Sequence, residues 1–338
     1  MYDSGRDSGP NALKNPGGSH PTPATPFAQG GVWLYGGGPT GLAAPLAPSD
    51  LTVVHPLWAA DAARLAPWRE VLLDDAAGPA AGKWFVAQGE AARTEPPILV
   101  IGTCESSLDV GWVLAKEGLL PPFASVLAVS QRKGRGQLRR DWSSPAGNLY
   151  ATWVWPTAPN DQLLSMAPVL VGYCLAEGLA ALGFPARLKW PNDLLLDGCK
   201  VGGILLEERG GRTLAGIGIN CASAPDAANL RRDHATPAAA LASFGELPGA
   251  VALWAGLVQS GQTCYRQSVT LSDSGERSRV IARRMAWLGR EVLVREDESD
   301  GFRARIVGLA GDGGLRLRRI DQGPVQQLTL HCGSISLL

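Results

Sequence analysis

The stretch from residue 186 to residue 220 constrains the fold most, because it predicts four strands joined by tight turns: ARLKW, LLL, the returning strand KVGGILLEE and TLAGIGIN. ARLKW is followed by a turn at PND and by a short apolar run, LLL. Asp197-Gly198 is typical of a type I′ hairpin turn, and Gly210-Gly211 supplies the turn before TLAGIGIN. Tight turns of this kind join antiparallel strands, so the stretch is predicted to be an antiparallel meander.

The polar residues of this meander lie at the ends of its strands, next to the turns. They are Lys189, Asn192, Asp193 and Lys200. Gly202 and Gly203 lie inside the returning strand, where the lack of a side chain is a weakness unless another group approaches the backbone closely. We therefore predict that a ligand lies against this part of the sheet.

The rest of the chain alternates strand and helix patterns before it changes character near residue 286. Strands are predicted at PPILVIG, SVLAVSQ and LYATWVW, and helices at 110–120, 161–182 and from about 246 to 286. The last 50 or so residues predict only short strands and turns. The predicted fold class is α+β, a mixed or antiparallel sheet with helices, followed by a small C-terminal SH3-like β-barrel.

Composition limits the possible functions of the chain. The formal net charge is zero over 338 residues, which argues against a bulk electrostatic partner such as nucleic acid or a membrane surface. The 6 cysteines are scattered without a CxxC pair, so we expect reduced thiols and a cytoplasmic protein. We see neither a signal-peptide pattern at the N-terminus nor an apolar run of membrane-spanning length.

The first 95 residues give weaker signals. Residues 1–30 are rich in Gly, Pro and Ser and are predicted to be a disordered tail. Residues 31–95 form a segment of unknown role, in which residues 36–38 are interpreted as a plain loop because no GK[ST] follows. Helical spacing places Trp58, Leu65 and Leu72 on one face, although Pro67 would kink or split such a helix. The catalytic part is predicted to span 96–285 and the barrel 286–338.

A basic, glycine-containing loop at 133–148 is the second candidate for chemistry. Its glycines would let main-chain amides face an anion, and its arginines would supply charge and paired hydrogen bonds. Two alternatives stay open from these residues alone. The loop can be a plain basic surface, or it can bind RNA with Trp142 stacking on bases.

Four blocks taken together, GRGQLRRDWSSPAGNLY, KWPND, GCKVGGILLE and GIGIN, resemble biotin protein ligase of the bacterial type. The resemblance spans roughly residues 98–222, and the predicted barrel fits it. It implies condensation of biotin with ATP, with Mg²⁺, to biotinyl-5′-AMP, and then transfer to a lysine of the biotin carboxyl carrier protein of acetyl-CoA carboxylase.

The resemblance also implies roles for individual residues. Arg135, Lys189 and Lys200 would be catalytic, near the biotin carboxylate and the phosphates, and Asp193 would help to hold Mg²⁺ indirectly. The implied biotin contacts are Ser106, Ser107, Leu108, Gln131, Gly134, Arg135, Gly136, Gln137, Lys200 and Gly203. The implied ATP contacts are Arg135, Arg140, Trp142, Lys189, Asn192 and Asn220. From the residues alone, capping the helix near 109 explains Ser106 and Ser107 as well, and packing is the simpler role for Trp142.

The chain departs from the family pattern at three positions. Leu108 stands where Asn or Met is frequent, Gln137 where many members have a second arginine, and Arg139 where many have glycine. These departures affect how tightly an adenylate would be held, not the reaction class. Lipoate or octanoate transfer is the nearest rival activity, and a catalytically silent biotin-binding protein is another. We see no helix-turn-helix pattern, so DNA binding is not expected, and a homodimer is possible.

Overall fold

The computed structural model describes residues 26–137, 140–225, 236–296, 301–321 and 326–338. Most of the predicted tail therefore lies outside the described residues. Its last part does not behave as predicted, because Phe27 is fully buried and its ring meets the rings of Trp33 and Trp84 at 5.0 and 5.2 Å. The packed chain thus begins before residue 31.

A mixed sheet of ten strands forms the centre of the molecule. The strands are β1 Val32–Gly37, β2 Trp68–Leu73, β3 Gly82–Ala87, β4 Ile98–Cys104, β5 Ser125–Gln131, β6 Leu149–Trp155, β7 Arg187–Lys189, β8 Asp193–Leu196, β9 Cys199–Arg209 and β10 Arg212–Ile219. Their order is β2-β3-β1-β4-β5-β6-β10-β9-β8-β7. The pairs β1–β4 and β4–β5 are parallel, and the other neighbours are antiparallel.

Among the residues that the structure describes, six α-helices accompany the sheet. They are α1 Leu51–Val54, α2 Pro56–Leu65, α3 Ser107–Lys116, α4 Asp161–Ala181, α5 Ala250–Thr270 and α6 Ser274–Ala282. The long helices α4 and α5 pack together and share one large hydrophobic core with the sheet, whereas α3 belongs to a second core on the other face. The sheet is therefore covered on both faces.

The C-terminal part forms a separate antiparallel sheet of five strands. They are β11 Glu291–Arg295, β12 Phe302–Leu309, β13 Leu315–Arg319, β14 Gln327–Leu330 and β15 Ser334–Leu337, in the order β14-β13-β12-β11-β15. Their inward residues join the large core. This agrees with the predicted fold class of an α+β sheet domain with a small barrel-like module.

The meander was predicted correctly because its turn residues adopt the required backbone. Asp197 and Gly198 have φ values of 49° and 78°, as a type I′ turn needs, and Gly210 and Gly211 have 55° and 72°. The strands β8, β9 and β10 follow the predicted antiparallel path.

The segment 31–95 was predicted incorrectly in two places. Strand β1 extends to Gly37, so the stretch interpreted as a loop is a loop only from Gly38 onward. The long helical pattern ends at Leu65, after which Trp68–Leu73 is strand β2. Pro67 cannot continue a helix, and pairing with β3 takes over beyond it. Leu72, predicted on the apolar helix face, is 77% exposed.

The glycines at 36–38 have a packing role in this segment. A Cβ on Gly38 would collide with the main chain at 81–82, and one on Gly82 would collide with the main chain at 37–38. Their small size lets the end of β1 approach the start of β3. The ten-stranded sheet therefore continues through this N-terminal segment without a break at residue 96.

The helix α4 corrects a further expectation. Asp161–Ala181 is long and apolar enough to cross a membrane, contrary to the prediction from sequence. However, 72% of its apolar window is buried inside the molecule, and Pro168 lies within it. Burial between the sheet and α5 accounts for its apolar composition.

Candidate active site

Two lysines and one aspartate meet at the end of the meander. Lys189 ends β7, Asp193 begins β8 and Lys200 lies near the start of β9. The Nζ of Lys200 is 2.6 Å from Oδ1 of Asp193, and the Nζ of Lys189 is 3.3 Å from Oδ2 of the same carboxylate. All three side chains are at least two-thirds buried. Two ammonium groups share one carboxylate, so the cluster keeps one uncompensated positive charge.

A bulge in the β8–β9 pairing brings these residues to one face of the sheet. Asp193 pairs with Gly203, whereas Leu195 pairs with Lys200, so the register shifts by one residue between them. Because side chains alternate along a strand, the extra residue turns Lys200 to the face that Asp193 occupies. The sequence predicted that these residues flank the strands of the meander, and the structure brings them into contact.

The glycines of the meander make a flat surface next to this cluster. Gly203 and Gly218 lie directly opposite each other on β9 and β10. The indole of Trp142 lies on this pair, since a Cβ at Gly218 would overlap the ring and a Cβ at Gly203 would crowd it. The Nζ of Lys200 is 5.4 Å from the centroid of the Trp142 ring. In this structure the group that lies against Gly203 and Gly218 is this indole, and the ligand predicted against Gly202 and Gly203 stays a prediction.

The other lysine has partners from distant parts of the chain. The Nζ of Lys189 donates to Oγ1 of Thr236 at 3.0 Å and lies 5.3 Å from the ring centroid of Trp287. Neither Thr236 nor Trp287 was expected from the sequence. Both come from segments that approach only after folding, so no local pattern marks them.

The glycine- and arginine-containing loop folds back on itself. The amide of Gly136 donates to the carbonyl of Arg140, and that of Trp142 donates to the carbonyl of Gly134, both at 2.8 Å. A Cβ on Gly134 would collide with the carbonyl of Trp142. The prediction that main-chain amides of this loop face an anion is thus wrong for Gly136 and Trp142. Gln137 and Arg140 are exposed, and Arg139 lies outside the described residues.

Arg135 does not join the two lysines. Its NH2 group lies 2.9 Å from Oδ1 of Asp109 and 3.4 Å from Oε1 of Glu207. Glu207 is four residues along β9 from Gly203, which corresponds to about 13 Å in a strand. Neither acid was predicted from the sequence, although Asp109 directly follows the ESSL stretch in α3.

The predicted serine and glutamine contacts form one connected network. The side-chain oxygen of Gln131 accepts from the amide of Ser107 at 2.7 Å, and its nitrogen donates to Oγ of Ser144 at 2.9 Å. The hydroxyl of Ser144 donates to the carbonyl of Trp142 at 2.9 Å. Ser106 is buried and caps α3 by accepting from the amide of Leu108. Gln131 therefore ties the start of α3 to the segment that carries Trp142.

Three more of the predicted ligand contacts, Asn192, Asn220 and Leu108, bind or pack against other residues of the chain. Asn192 donates to the carbonyl of Ile204 at 2.8 Å, and the amide of Ile204 donates back at 3.0 Å. Asn220 is buried and donates to the carbonyl of Ala239 at 3.3 Å. Leu108 covers Gly216, where a Cβ would collide with its side chain.

Asn148 is a site residue that the sequence did not reveal. Its Oδ1 accepts from the amides of three consecutive residues, 221–223, at 2.9 to 3.1 Å. Asn148, Asn220, Ser143 and Ser223 line a polar cavity of about 210 Å³. A larger cavity of about 290 Å³ lies elsewhere, between Trp190 and the C-terminal sheet. Lys189, Asp193 and Lys200 line neither cavity, but the smaller one is linked to them through Asn220, whose side chain donates to the carbonyl of Lys200 at 3.5 Å.

The charged cluster does not form a resident metal site. Both carboxylate oxygens of Asp193 are bound to lysines. Within the described ranges, no three His, Cys, Asp or Glu side chains come together as a metal would require. The arrangement suits an anion, because it offers ammonium groups and polar donors around a flat apolar surface.

The pattern of the Biotin/lipoate A/B protein ligase family matches residues 119–223 of this chain, the part that carries this cluster. The matched region runs from the strand before the loop to the end of the meander. It therefore includes Gln131, Arg135, Lys189, Asp193 and Lys200.

Individual relatives narrow the resemblance further. The biotin–[acetyl-CoA-carboxylase] ligase of Paracoccus denitrificans is 43% identical over 112 residues, 31% of this chain and 47% of that protein. The bifunctional ligase/repressor BirA of Escherichia coli is 36% identical over 118 residues, 33% of this chain and 37% of that protein. The matches thus span less than half the length of these relatives.

Solved structures confirm the fold. The biotin protein ligase of Aquifex aeolicus, solved in complex with biotin and ATP, superposes with a TM-score of 0.59. The two are 23% identical, and the superposition covers 71% of this chain and 99% of the other. The apo structure of the same protein gives a TM-score of 0.56.

Proposed function

We propose that this chain is an ATP-dependent ligase that activates biotin as biotinyl-5′-AMP and transfers biotin to a lysine of a biotin carboxyl carrier protein, that of acetyl-CoA carboxylase. The observation that carries the proposal is the Lys189–Asp193–Lys200 cluster beside the Gly203–Gly218 surface. The family match over residues 119–223 supports ligation of biotin or lipoate, and the name of the Paracoccus denitrificans relative, biotin–[acetyl-CoA-carboxylase] ligase, supports the choice of biotin.

The first half-reaction joins two anions. A carboxylate oxygen of biotin attacks the α-phosphorus of ATP, the bond to the β-phosphate oxygen breaks, and pyrophosphate leaves. Two unit charges 4 Å apart repel by about 4 kcal/mol in a partly wet site. Lys200 and Lys189 would offset this repulsion, and most strongly as charge moves toward the leaving pyrophosphate. Arg135 would contribute only after leaving Asp109 and Glu207.

Mg²⁺ enters the proposal as part of the substrate, MgATP. A single carboxylate bound by two lysines does not fit a resident Mg²⁺ ion, which prefers six oxygen ligands and keeps several waters. Phosphate oxygens and water would supply most of its ligands. Asp193 would act on the metal indirectly, through the positions of Lys189 and Lys200.

The second half-reaction consumes the mixed anhydride. The neutral ε-amine of the carrier lysine attacks the biotinyl carbonyl carbon, an amide bond forms, AMP leaves and the amine loses a proton. Water would compete for the same carbon, so the adenylate has to be covered. In this proposal the indole of Trp142 and the described parts of the loop, 133–137 and 140–142, would cover it.

The test is a reconstituted reaction with a choice of acid. The protein is mixed with MgATP, a carrier domain and either biotin or lipoate, and both pyrophosphate release and label on the carrier are followed. Biotin-dependent label supports the proposal. Label with lipoate alone would assign the rival lipoate or octanoate activity, and binding of biotin without pyrophosphate release would indicate a silent binding protein. Lys116→Ala, at the far end of α3, is the control for loss of a lysine.

Two further parts of the proposal concern the cellular location and the oligomeric state. A cytoplasmic location is supported by the 6 cysteines, all of which are free thiols. A homodimer stays a prediction, and sedimentation of the full chain with and without biotin and ATP would test it. RNA binding is disfavoured because Arg132 and Lys133 are paired with Glu105, at 3.5 and 2.9 Å.

A further inference from the structure

Trp287 has a backbone conformation that bulky residues seldom adopt. Its φ is 63°, in the left-handed region that favours glycine. It lies in the turn between α6 and β11, where the amide of Arg290 donates to its carbonyl at 2.9 Å. Gly289, two residues later, has a similar φ of 79° and open space around its Cα. Turn formation alone would therefore be served better by glycine at 287 as well.

The strained position directs the indole at Lys189. The ammonium lies 5.3 Å from the ring centroid, within the range of a cation–π contact. The side chain of Lys189 is only 13% exposed, so the contact is partly shielded from water. Asp193 and Thr236 approach the same ammonium from other directions. The indole thus covers one side of a cation that is central to the site.

The position of Trp287 also depends on the C-terminal sheet. The amide of Gly289 donates to the carbonyl of Ile306 at 2.9 Å, and the amide of Ile306 donates to the carbonyl of Arg290 at 3.0 Å. These bonds fasten the turn to β12. The C-terminal sheet is therefore connected to Lys189 through one short turn.

We propose that Trp287 is a positioning residue for Lys189, which holds the ammonium where it meets the phosphates of a bound nucleotide. The inference rests on the proposed ligase function. Without the aromatic face, Lys189 would still be bound by Asp193 and Thr236, but the side that the indole covers would be open and the orientation of the ammonium less defined. The alternative role for Trp287 is packing alone, since it also contacts the hydrophobic core.

Two substitutions separate these roles. Trp287→Phe keeps an aromatic face, and Trp287→Leu keeps an apolar side chain without one. Phe302→Leu is the matched control, because it removes an aromatic ring that lies 4.7 Å from the guanidinium of Arg319 in the same C-terminal sheet. The measurements are KM for ATP, KM for biotin and kcat in pyrophosphate release, together with calorimetric affinity for MgATP and urea unfolding.

We expect Trp287→Leu to raise KM and Kd for ATP about 5-fold, within the roughly 2- to 30-fold range of cation–π contacts. KM for biotin should not change, Trp287→Phe should recover most of the affinity, and Phe302→Leu should match the wild type. Equal losses for ATP and biotin, or Phe behaving like Leu, would overturn the inference. Urea unfolding identifies a variant that fails to fold. If Trp287→Leu is such a variant, the ATP affinity of Trp287→Phe compared with that of the wild type decides the question.

Failure of the proposed function would look different. A wild-type chain that binds MgATP but releases no pyrophosphate with biotin would remove the ligase activity, and calorimetric ATP affinities of the variants would still judge Trp287. A wild-type chain that binds no ATP would overturn both proposals.

Discussion

Asp61 connects the N-terminal segment to the helix that covers the central sheet. It lies in α2 and is 2% exposed. Its carboxylate accepts from the amides of Val251 and Ala252, at 2.7 and 3.2 Å, at the start of α5. Burial raises the pKa of this carboxyl from 3.8 to about 6, and the two amides and Arg64 oppose the shift. We predict that Asp61→Asn changes how stability depends on pH.

The magnitude follows from the raised pKa. Because the folded chain holds this proton more tightly than the unfolded chain, stability from this group is greatest below the unfolded pKa of 3.8 and is lost as pH rises through about 6. A shift of about 2 units corresponds to about 3 kcal/mol at neutral pH. About 2 kcal/mol of this falls between about pH 4.5 and pH 7. Asn has no such titration, so its stability relative to wild type should rise by that amount over this interval.

The assay is urea unfolding of both proteins from about pH 4.5 to pH 7.5, followed by circular dichroism. Asp61→Ala is the control, because it also removes the charge but accepts no hydrogen bond. Both variants should show the same change with pH, and Ala should be less stable than Asn by about 1 kcal/mol at every pH. If the curves for wild type and Asn run parallel across this range, the pKa of Asp61 is not raised and the reasoning fails.

Three further predictions concern the site. Lys200→Ala should lower biotin-dependent pyrophosphate release about 100-fold or more, because an aligned cation at the reacting phosphate is lost; a rate near wild type would remove Lys200 from that role. Asp193→Asn should raise KM for MgATP about tenfold while KM for biotin stays constant, since a neutral amide no longer holds both lysines in the positions where they would meet the phosphates; equal effects on both substrates would contradict this. Arg140→Ala should speed escape of biotinyl-adenylate about 2- to 5-fold, as expected for loss of one exposed charge, and Gln137→Arg should slow it or leave it unchanged. Free adenylate measured without carrier, with amide exchange over 133–142, checks this last pair.

The parts of the fold that depend on local signals were predictable. The turn residues Asp197 and Gly198 determine where the meander reverses. Strand β6 was also predicted from its own sequence, but all seven of its residues are buried instead of every second one. Strand β2 was not predictable in this way. Its helical spacing of apolar residues is real, but pairing with β3 decides its conformation, and Leu72 ends exposed.

In the site, too, some residues are predicted by local sequence and others come together only when the chain folds. Lys189, Asp193 and Lys200 lie within twelve residues on one meander, so their contact follows from strand register. No short motif predicts Thr236, Trp287 or Asn148, because these residues come from other segments of the chain. Arg135 was predicted beside Lys200, but the loop that carries it takes a path that depends on Asp109 and Glu207.

Both sets of cations in the site are bound to carboxylates of the chain itself, and this determines which ligands can gain by binding. Lys189 and Lys200 share Asp193, and Arg135 is held by Asp109 and Glu207. An entering anion exchanges with these carboxylates, so its gain is the difference between two sets of ion pairs rather than the full attraction. A ligand with a single carboxylate attracts Lys189 and Lys200 little more strongly than Asp193 already does. A polyphosphate can engage both lysines and leave Asp193 bound to the same cluster, because the cluster carries one uncompensated positive charge. Under the proposed function, the nucleotide would therefore be the group that first reorganises the cluster, rather than a ligand with a single carboxylate.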